Sequence, residues 1–574
     1  MTEITNIIHE RVDDIPLIIG LAQRLGLPEI IDKNIGNHGL HQGLSNGLLT
    51  TVWLSYILSE GDHRKYSVQD WANKHSQTLE KLLGQPIREV ELGDDRLGVV
   101  LRRLGKRTAW EGLEADLWSN TVAVYEIQIT GIRLDSTTAS GYHTSTEDGI
   151  MQYGHSKDHR PDLVQLKLMG AAAEPSGLML TCDVLSGNKA DDPLYTPALV
   201  RVRQMLGRSG LLYVGDSKMA SLGTRSDIVA NDDYYLMPLP MTGETGEKMD
   251  DWIGKVVDGN QTAELIWDEN NLLGGGYEFQ RILKATLDDR QIQWPERVQV
   301  YRSLSLASQQ SHQLEEKVNK AKVELLALTP PPGRGKRKYS DEADLQKAVS
   351  GILEKHKVTG LLKVTWECHE EIVTRYIGRG RGGINRRKET EVSRRYFIKE
   401  VERDNAAIFR HQNRLGWRVQ VTNMPVEQMS LSEAVIHYRG GWSIERDFHI
   451  LKDRPLGIRP LYVRRDDQIV GLTCLLTLAL RMLTLIETQV RGGLLEAGEH
   501  LTGLYAGQPS RKVDSPTGVL LLKAFARDEV TLTCINMGGK QYWHITFLSR
   551  LQEQILMHLK LSVSLYTNLI ENSS

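Results

Sequence analysis

At 574 residues the chain is too long for one ordinary core and is expected to divide into three or so domains. Its 70 Lys and Arg against 73 Asp and Glu leave a formal net charge of −3, which excludes a global basic field and leaves any nucleic-acid contact to local patches. Four widely spaced cysteines (Cys182, Cys368, Cys474, Cys534), with no C-x-x-C pair, argue against a disulfide framework or a cysteine zinc site and fit a reducing cytoplasm.

Residues 1–120 read as mostly helical, with no leader expected at Met1-Thr2-Glu3-Ile4-Thr5. Asp13-Asp14 can cap a helix carrying Ile15, Ile18, Ile19, Ala22 and Leu25, and Ser45 another bearing Leu48, Leu49, Val52, Trp53, Tyr56 and Ile57. Helical patterns follow around 68–83, 96–104 and 110–125. Short helices with polar joints suit a helix-turn-helix-like module and equally a plain helical docking domain. The basic cluster Arg102, Arg103, Lys106, Arg107 tilts that choice toward DNA.

From 121 to 240 the pattern turns to strands, near 127–135, 163–173, 178–185, 211–215 and 234–239, with helices over 193–206 and 219–230. Two of these strands deliver an aspartate into a polar turn: Ile132-Arg133-Leu134-Asp135-Ser136 and Tyr213-Val214-Gly215-Asp216-Ser217. Alone, each aspartate is equally a turn former or a helix cap.

A long insertion is expected over 241–425. Leu314, Val318, Ala321, Leu325 and Leu328 recur at heptad-like spacing, a proline-glycine linker starts at Pro330, and a second helix fits 341–356. Together they predict a helical hairpin or coiled-coil arm. Strand-like stretches at 361–376, 395–402 and 417–422 follow. Between them runs a basic, glycine-rich segment holding Arg379, Arg381, Arg386 and Arg387, whose guanidinium groups can contact phosphates; the same run also reads as a solvated basic hairpin.

The segment Tyr438 to Lys452 is the most informative. Positions 438, 442, 445, 449 and 452 share one face of a continuous helix, while Ile444, Phe448 and Leu451 form an apolar stripe beside it. Gly440-Gly441 weakens that helix by roughly 1 kcal/mol per glycine, so a break with Ser443 capping a new helix is the other reading. A carboxylate followed two turns on by a lysine suits a metal site facing a phosphate backbone, as it suits a solvated surface. Downstream, 469–486 is apolar but interrupted by Thr473, Thr477, Arg481 and Thr484, which predicts a buried core helix rather than a membrane span. The rest is expected to be largely helical, ending in an amphipathic run over 548–569.

Tyr438, Glu445 and Lys452 resemble the Tyr-x2-Arg-x3-Glu-x6-Lys signature of bacterial insertion-sequence transposases, with Gly441 where that family has arginine. Arg439 or Arg446 could supply the missing charge. Asp135, Asp216 and Glu445, in that order, resemble the catalytic triad of the ribonuclease-H-like transposases, and the stretches 154–163 and 187–191 resemble further family motifs. The resemblance implies an α/β ribonuclease-H-like core in two parts, 121–240 and 426–490. Around it lie a helical DNA-end-binding domain over 1–120, a mixed helical and β insertion over 241–425, and a helical region over 491–574.

It also implies a DNA transposase that frees a 3′-hydroxyl at the element's end and joins it to target DNA. Asp135, Asp216 and Glu445 would hold Mg²⁺ or Mn²⁺, two ions per site, because hard divalent ions take carboxylate oxygens and keep positions open for water and phosphate. Tyr438, Arg439, Trp442, Arg446 and Lys452, with the insertion's arginines, would contact DNA. The implied partners are double-stranded element ends and target DNA, with a homodimer in the complex, no membrane and a cytoplasmic location. A nuclease without strand joining would use the same acids, and an inactive DNA-binding relative is the non-enzymatic alternative.

Overall fold

Val164–Glu174 is buried along its whole length, the behaviour of a central strand covered on both faces. It belongs to the main sheet of the computed structural model, which describes every residue except 1–3, 40–41, 332, 334, 378–386, 539 and 572–574. The sheet has nine strands in the order Leu178–Ser186, Val164–Glu174, Gly131–Gly141, Leu212–Val214, Tyr234–Pro238, Trp417–Thr422, Arg290–Ser303, Asn271–Leu287, Glu264–Asp268. The first three strands are antiparallel, and the next two run parallel to Gly131–Gly141. Helices Tyr195–Leu206 and Leu222–Ala230 make the connections, giving the expected succession of three strands, helix, strand, helix, strand.

The start of the expected insertion contributes three strands to this sheet, and Trp417–Thr422 bridges them to the first five by pairing with both Tyr234–Pro238 and Arg290–Ser303. The sequence expectation for 241–425 places no strand before 361, and three consecutive glycines, Gly274-Gly275-Gly276, lie within the long Asn271–Leu287 strand. They are bare for a steric reason. A Cβ on Gly274 would collide with the Arg302 carbonyl, and one on Gly276 would lie 2.5 Å from Tyr301 Cβ.

Beyond the sheet, helices Leu304–Leu328 and Glu342–Lys355 form the expected arm. Leu314, Val318, Ala321 and Leu325 are buried there against Leu345, Val349 and Ile352, and against Ile398 and Val401 of a hairpin formed by Leu362–Tyr376 and Lys388–Arg403. The heptad-like stripe is therefore consumed within its own chain.

Seven helices fill the N-terminal region among the described residues, from Ile15–Arg24 to Arg107–Tyr125. Ser45 caps its helix, accepting a hydrogen bond from the Leu48 amide at 3.2 Å. Asp14 stands at the N-cap of Ile15–Arg24 without capping it, and instead accepts from Ser59 Oγ at 2.6 Å. Both terminal regions are mainly helical, as expected, and each also contributes to a small sheet. Ile4–Arg11 pairs with Thr531–Met537, which pairs in turn with Lys540–Ile545. The amphipathic run near the end is two helices, Arg550–His558 and Ser564–Glu571, whose Ile555, Leu556, Tyr566 and Leu569 join the N-terminal core.

Helix Asp466–Ala497 is long and apolar enough to cross a membrane by length and composition, and 94% of its most apolar window is buried inside the fold. Arg481 on this helix and Arg201 on Tyr195–Leu206 both donate to the fully buried Glu114 carboxylate, tying the N-terminal helices to the sheet. Removing one partner from such a buried network costs more than the pairs contribute together, since a charge is left uncompensated.

Candidate active site

The register of two parallel strands sets the first two acids side by side. Arg133 pairs with Val214, so Asp135 and Asp216 each follow that level by two residues, Asp135 within its strand and Asp216 just past the end of Leu212–Val214. Asp216 Oδ1 accepts from Tyr195 Oη at 2.6 Å and from the Lys218 amide at 2.9 Å. Asp135 Oδ1 accepts from the Ser136 amide at 2.7 Å and lies 3.6 Å from Lys157 Nζ.

Glu445 arrives on helix Trp442–Lys452, whose Ile444, Phe448 and Leu451 are buried as the apolar stripe predicts. The seat for Phe448 is Gly170, the cross-strand partner of Asp135: a Cβ there would meet the Phe448 ring at 3.0 Å. One bare position thus settles the Glu445 helix next to the Asp135 strand. The helix does break, into Leu431–Arg439 and Trp442–Lys452, but the new N-cap is Gly441 and not Ser443.

Asp135, Asp216, Glu445, Tyr438 and Arg439 all line one open cleft of about 480 Å³, together with Arg133, Arg418 and Gly441. Burial pushes the Asp135 carboxyl up to about 6; Lys157 works against this, while the charges of Asp216 and Glu445 add to it. Burial likewise raises Tyr438 to about 12, with Asp216 among the charges contributing. Among the described residues, no three His, Cys, Asp or Glu side chains are drawn together tightly enough to enclose a metal ion unaided. The donor chemistry still fits hard divalent ions: three carboxylates share a cleft, and the charge of two of them opposes ionisation of the third.

Two residues of the signature segment are engaged elsewhere. Lys452 Nζ is 2.9 Å from Asp158 Oδ1, and Arg446 pairs with Glu487 and Asp447. Arg446 therefore does not supply the charge missing at 441. The side chain of Trp442 and residues Arg379, Arg381 and Arg386 lie outside the described set, and Arg387 is exposed beside the hairpin strand Lys388–Arg403.

Three cleft-side features escaped the sequence reading. Arg133 could have been found from strand alternation, which puts it on the same face as Asp135. Arg418 stands on Trp417–Thr422, a strand anticipated but not connected to the acids. Lys157, from the stretch 154–163, donates to the Ser136 carbonyl at 2.5 Å and its hydroxyl at 2.9 Å, and lies 3.9 Å from Asp191.

The family described as "Transposase DDE domain" matches residues 127–482, and a "Domain of unknown function (DUF4277)" matches residues 7–111. No curated protein matches the chain. Among solved structures, the piggyBac transposase synaptic complex with hairpin DNA is similar at 7% identity and a TM-score of 0.31, over 89% of this chain and 79% of that one.

Proposed function

We propose that this chain, which belongs to the DDE-domain transposase family, cuts the ends of a DNA element and joins them to target DNA by metal-dependent phosphoryl transfer. The observation that carries this reading is a single cleft lined by Asp135, Asp216 and Glu445 from distant parts of the chain, with Arg133, Arg418 and Arg439 around them. The strand order about Gly131–Gly141, three antiparallel and two parallel, supports a ribonuclease-H-like core.

Asp135, Asp216 and Glu445 would hold two Mg²⁺ or Mn²⁺ ions. When bound, such ions activate an attacking oxygen and stabilise a leaving one. The remaining work falls to the chain's own residues. Arg418 and Arg439 bind backbone phosphates of the DNA end at the cleft. Tyr438, held protonated by its raised pKa, donates a hydrogen bond to a phosphate oxygen. Tyr195 and the Lys218 amide fix the orientation of the Asp216 carboxylate.

Water displaces the 3′-oxygen of one phosphodiester, freeing a 3′-hydroxyl and leaving the phosphate on the other side of the cut. That hydroxyl then attacks a target phosphodiester, so one bond is exchanged for another and no nucleotide cofactor is consumed. One cleft serves one end, so coordinated excision requires two chains bridged by DNA.

The test is incubation of purified protein, with Mg²⁺, with a duplex carrying the terminal inverted repeat that flanks its gene. New 3′-hydroxyl ends and joined products are expected from wild type and not from Asp216→Asn. Equal cleavage by that variant overturns the reading, and failure to join pre-cut ends assigns a nuclease instead.

A further inference from the structure

Arg133 combines two properties that rarely coincide. Its side chain is only 6% exposed and is ion-paired through Nε to Glu174 Oε1 at 2.6 Å, yet it lines the cleft of the three acids. Nη2 donates to the His437 carbonyl at 2.9 Å. His437 Nε2 lies 2.7 Å from the other Glu174 oxygen, which completes a clamp around one edge of the guanidinium. Among the described hydrogen bonds none uses Nη1.

That nitrogen is aimed at Gly441. A Cβ built on Gly441 would lie 2.8 Å from Arg133 Nη1, with Arg133 Cζ at 3.2 Å and the Tyr438 carbonyl at 3.4 Å as the next neighbours. The backbone of Gly441 is ordinary right-handed helix, φ −63° and ψ −6°, so no conformational demand calls for glycine there. The residue is bare because a guanidinium from the neighbouring strand occupies the space of its side chain.

We propose that Arg133 is a DNA-contacting residue, its clamped guanidinium filling the volume that a side chain at 441 would take and presenting Nη1 to a phosphodiester beside the acids. A planar fork fixed along one edge keeps its remaining N–H groups pre-set for a phosphate oxygen. The inference deepens the reading of the cleft as a DNA-end site and rests on it.

The experiment measures binding of the end duplex by the full chain across a salt series without divalent metal, so that cleavage plays no part. Each phosphate contact contributes about 0.9 to the slope of log affinity against log salt. Arg133→Met with Glu174→Gln removes both charges of the ion pair, leaving no isolated buried charge. It is expected to bind at least tenfold more weakly, with a slope shallower by roughly one contact. Glu174→Gln alone keeps the guanidinium and is expected to keep the slope. Adding Gly441→Arg to the double variant returns a guanidinium to the same space and is expected to restore the slope.

An unchanged slope in the double variant overturns the inference, and so does an equal loss in Glu174→Gln, which would assign Arg133 to ion pairing alone. Should the double variant fail to melt cooperatively, Arg133→Lys takes its place. The shorter ammonium keeps the charge but cannot serve Glu174 and the space at Gly441 together, so a retained slope there is contrary evidence. Wild type showing no salt-dependent binding to the duplex removes the functional reading itself, whereas wild-type binding with an unaltered double variant removes only the role of Arg133.

Discussion

Lys452 Nζ lies 2.9 Å from Asp158 Oδ1, with the lysine side chain 15% and the aspartate side chain 4% exposed. The pair joins the last turn of the Glu445 helix to the stretch 154–163, which also brings Lys157 beside Asp135. Asp158 is shared: Arg459 Nη1 is 3.2 Å away and Ser140 donates its hydroxyl at 3.1 Å.

Because the buried Asp158 pairs with two half-buried cations, Asp158→Ala should destabilise the protein by roughly 1–3 kcal/mol, the cost of leaving partly desolvated donors unsatisfied. Asp158→Asn with Lys452→Met should recover most of that loss. Urea titration of the three proteins measures it, and an Asp158→Ala variant within 1 kcal/mol of wild type would show the pair to be solvated.

Glu445→Ala and Asp135→Asn should each lower end cleavage by at least about 100-fold, the scale on which single charge-stabilising groups act. Gel-shift affinity for the end duplex should change little, since recognition uses surfaces other than the acids. Cleavage by either variant at the wild-type rate would remove that acid from its assigned role.

Asp14 is fully buried beside Ser59, with Asp13 and Glu60 adding repulsion and Tyr566 packed near it, and burial pushes its carboxyl up to about 7. A folded-state pKa above the unfolded value of 3.8 means the folded protein holds this proton more tightly. Stability from the group is therefore complete at low pH and is lost as pH rises from about 4 to 7. Asp14→Asn keeps an acceptor for the Ser59 hydroxyl and removes the charge. It should raise stability at pH 8 by at most about 4 kcal/mol, an advantage that fades toward pH 5. A melting-temperature difference independent of pH would contradict the account.

On cognate end DNA the protein should assemble with two chains per complex, one cleft for each end. Light scattering on the DNA-bound species measures this. A single chain persisting through cleavage would rule out paired ends.

Asp135, Asp216 and Glu445 could be singled out in the sequence because two strand-ending aspartates and a helix-borne glutamate stand in the order of a family triad, and the fold brings the three into one cleft. Their setting could not be read from the sequence. The pairing of Lys452 with Asp158 joins residues 294 positions apart, and spacing on a helix carries no information about so distant a partner. Gly170 and Gly441 are bare because Phe448 and Arg133 need their space, a constraint that exists only after folding. Three glycines interrupt the apolar alternation of the strand Asn271–Leu287, and Ile4–Arg11 is a single short strand ahead of a helical region. A strand whose partner lies at the far end of a chain has nothing nearby to announce it.

That last pairing bears on how the molecule is made. Ile4–Arg11 leaves the ribosome long before its partner Thr531–Met537 has been made. At the usual 5–20 residues per second the unpaired strand waits roughly 30–100 s, and contacts this remote in sequence form slowly even then. Asp135 and Asp216 are themselves translated long before Glu445, so a nascent chain still tethered to its message carries an incomplete set of acids. The fold thereby delays the acquisition of a complete cleft until helix Trp442–Lys452 has been translated.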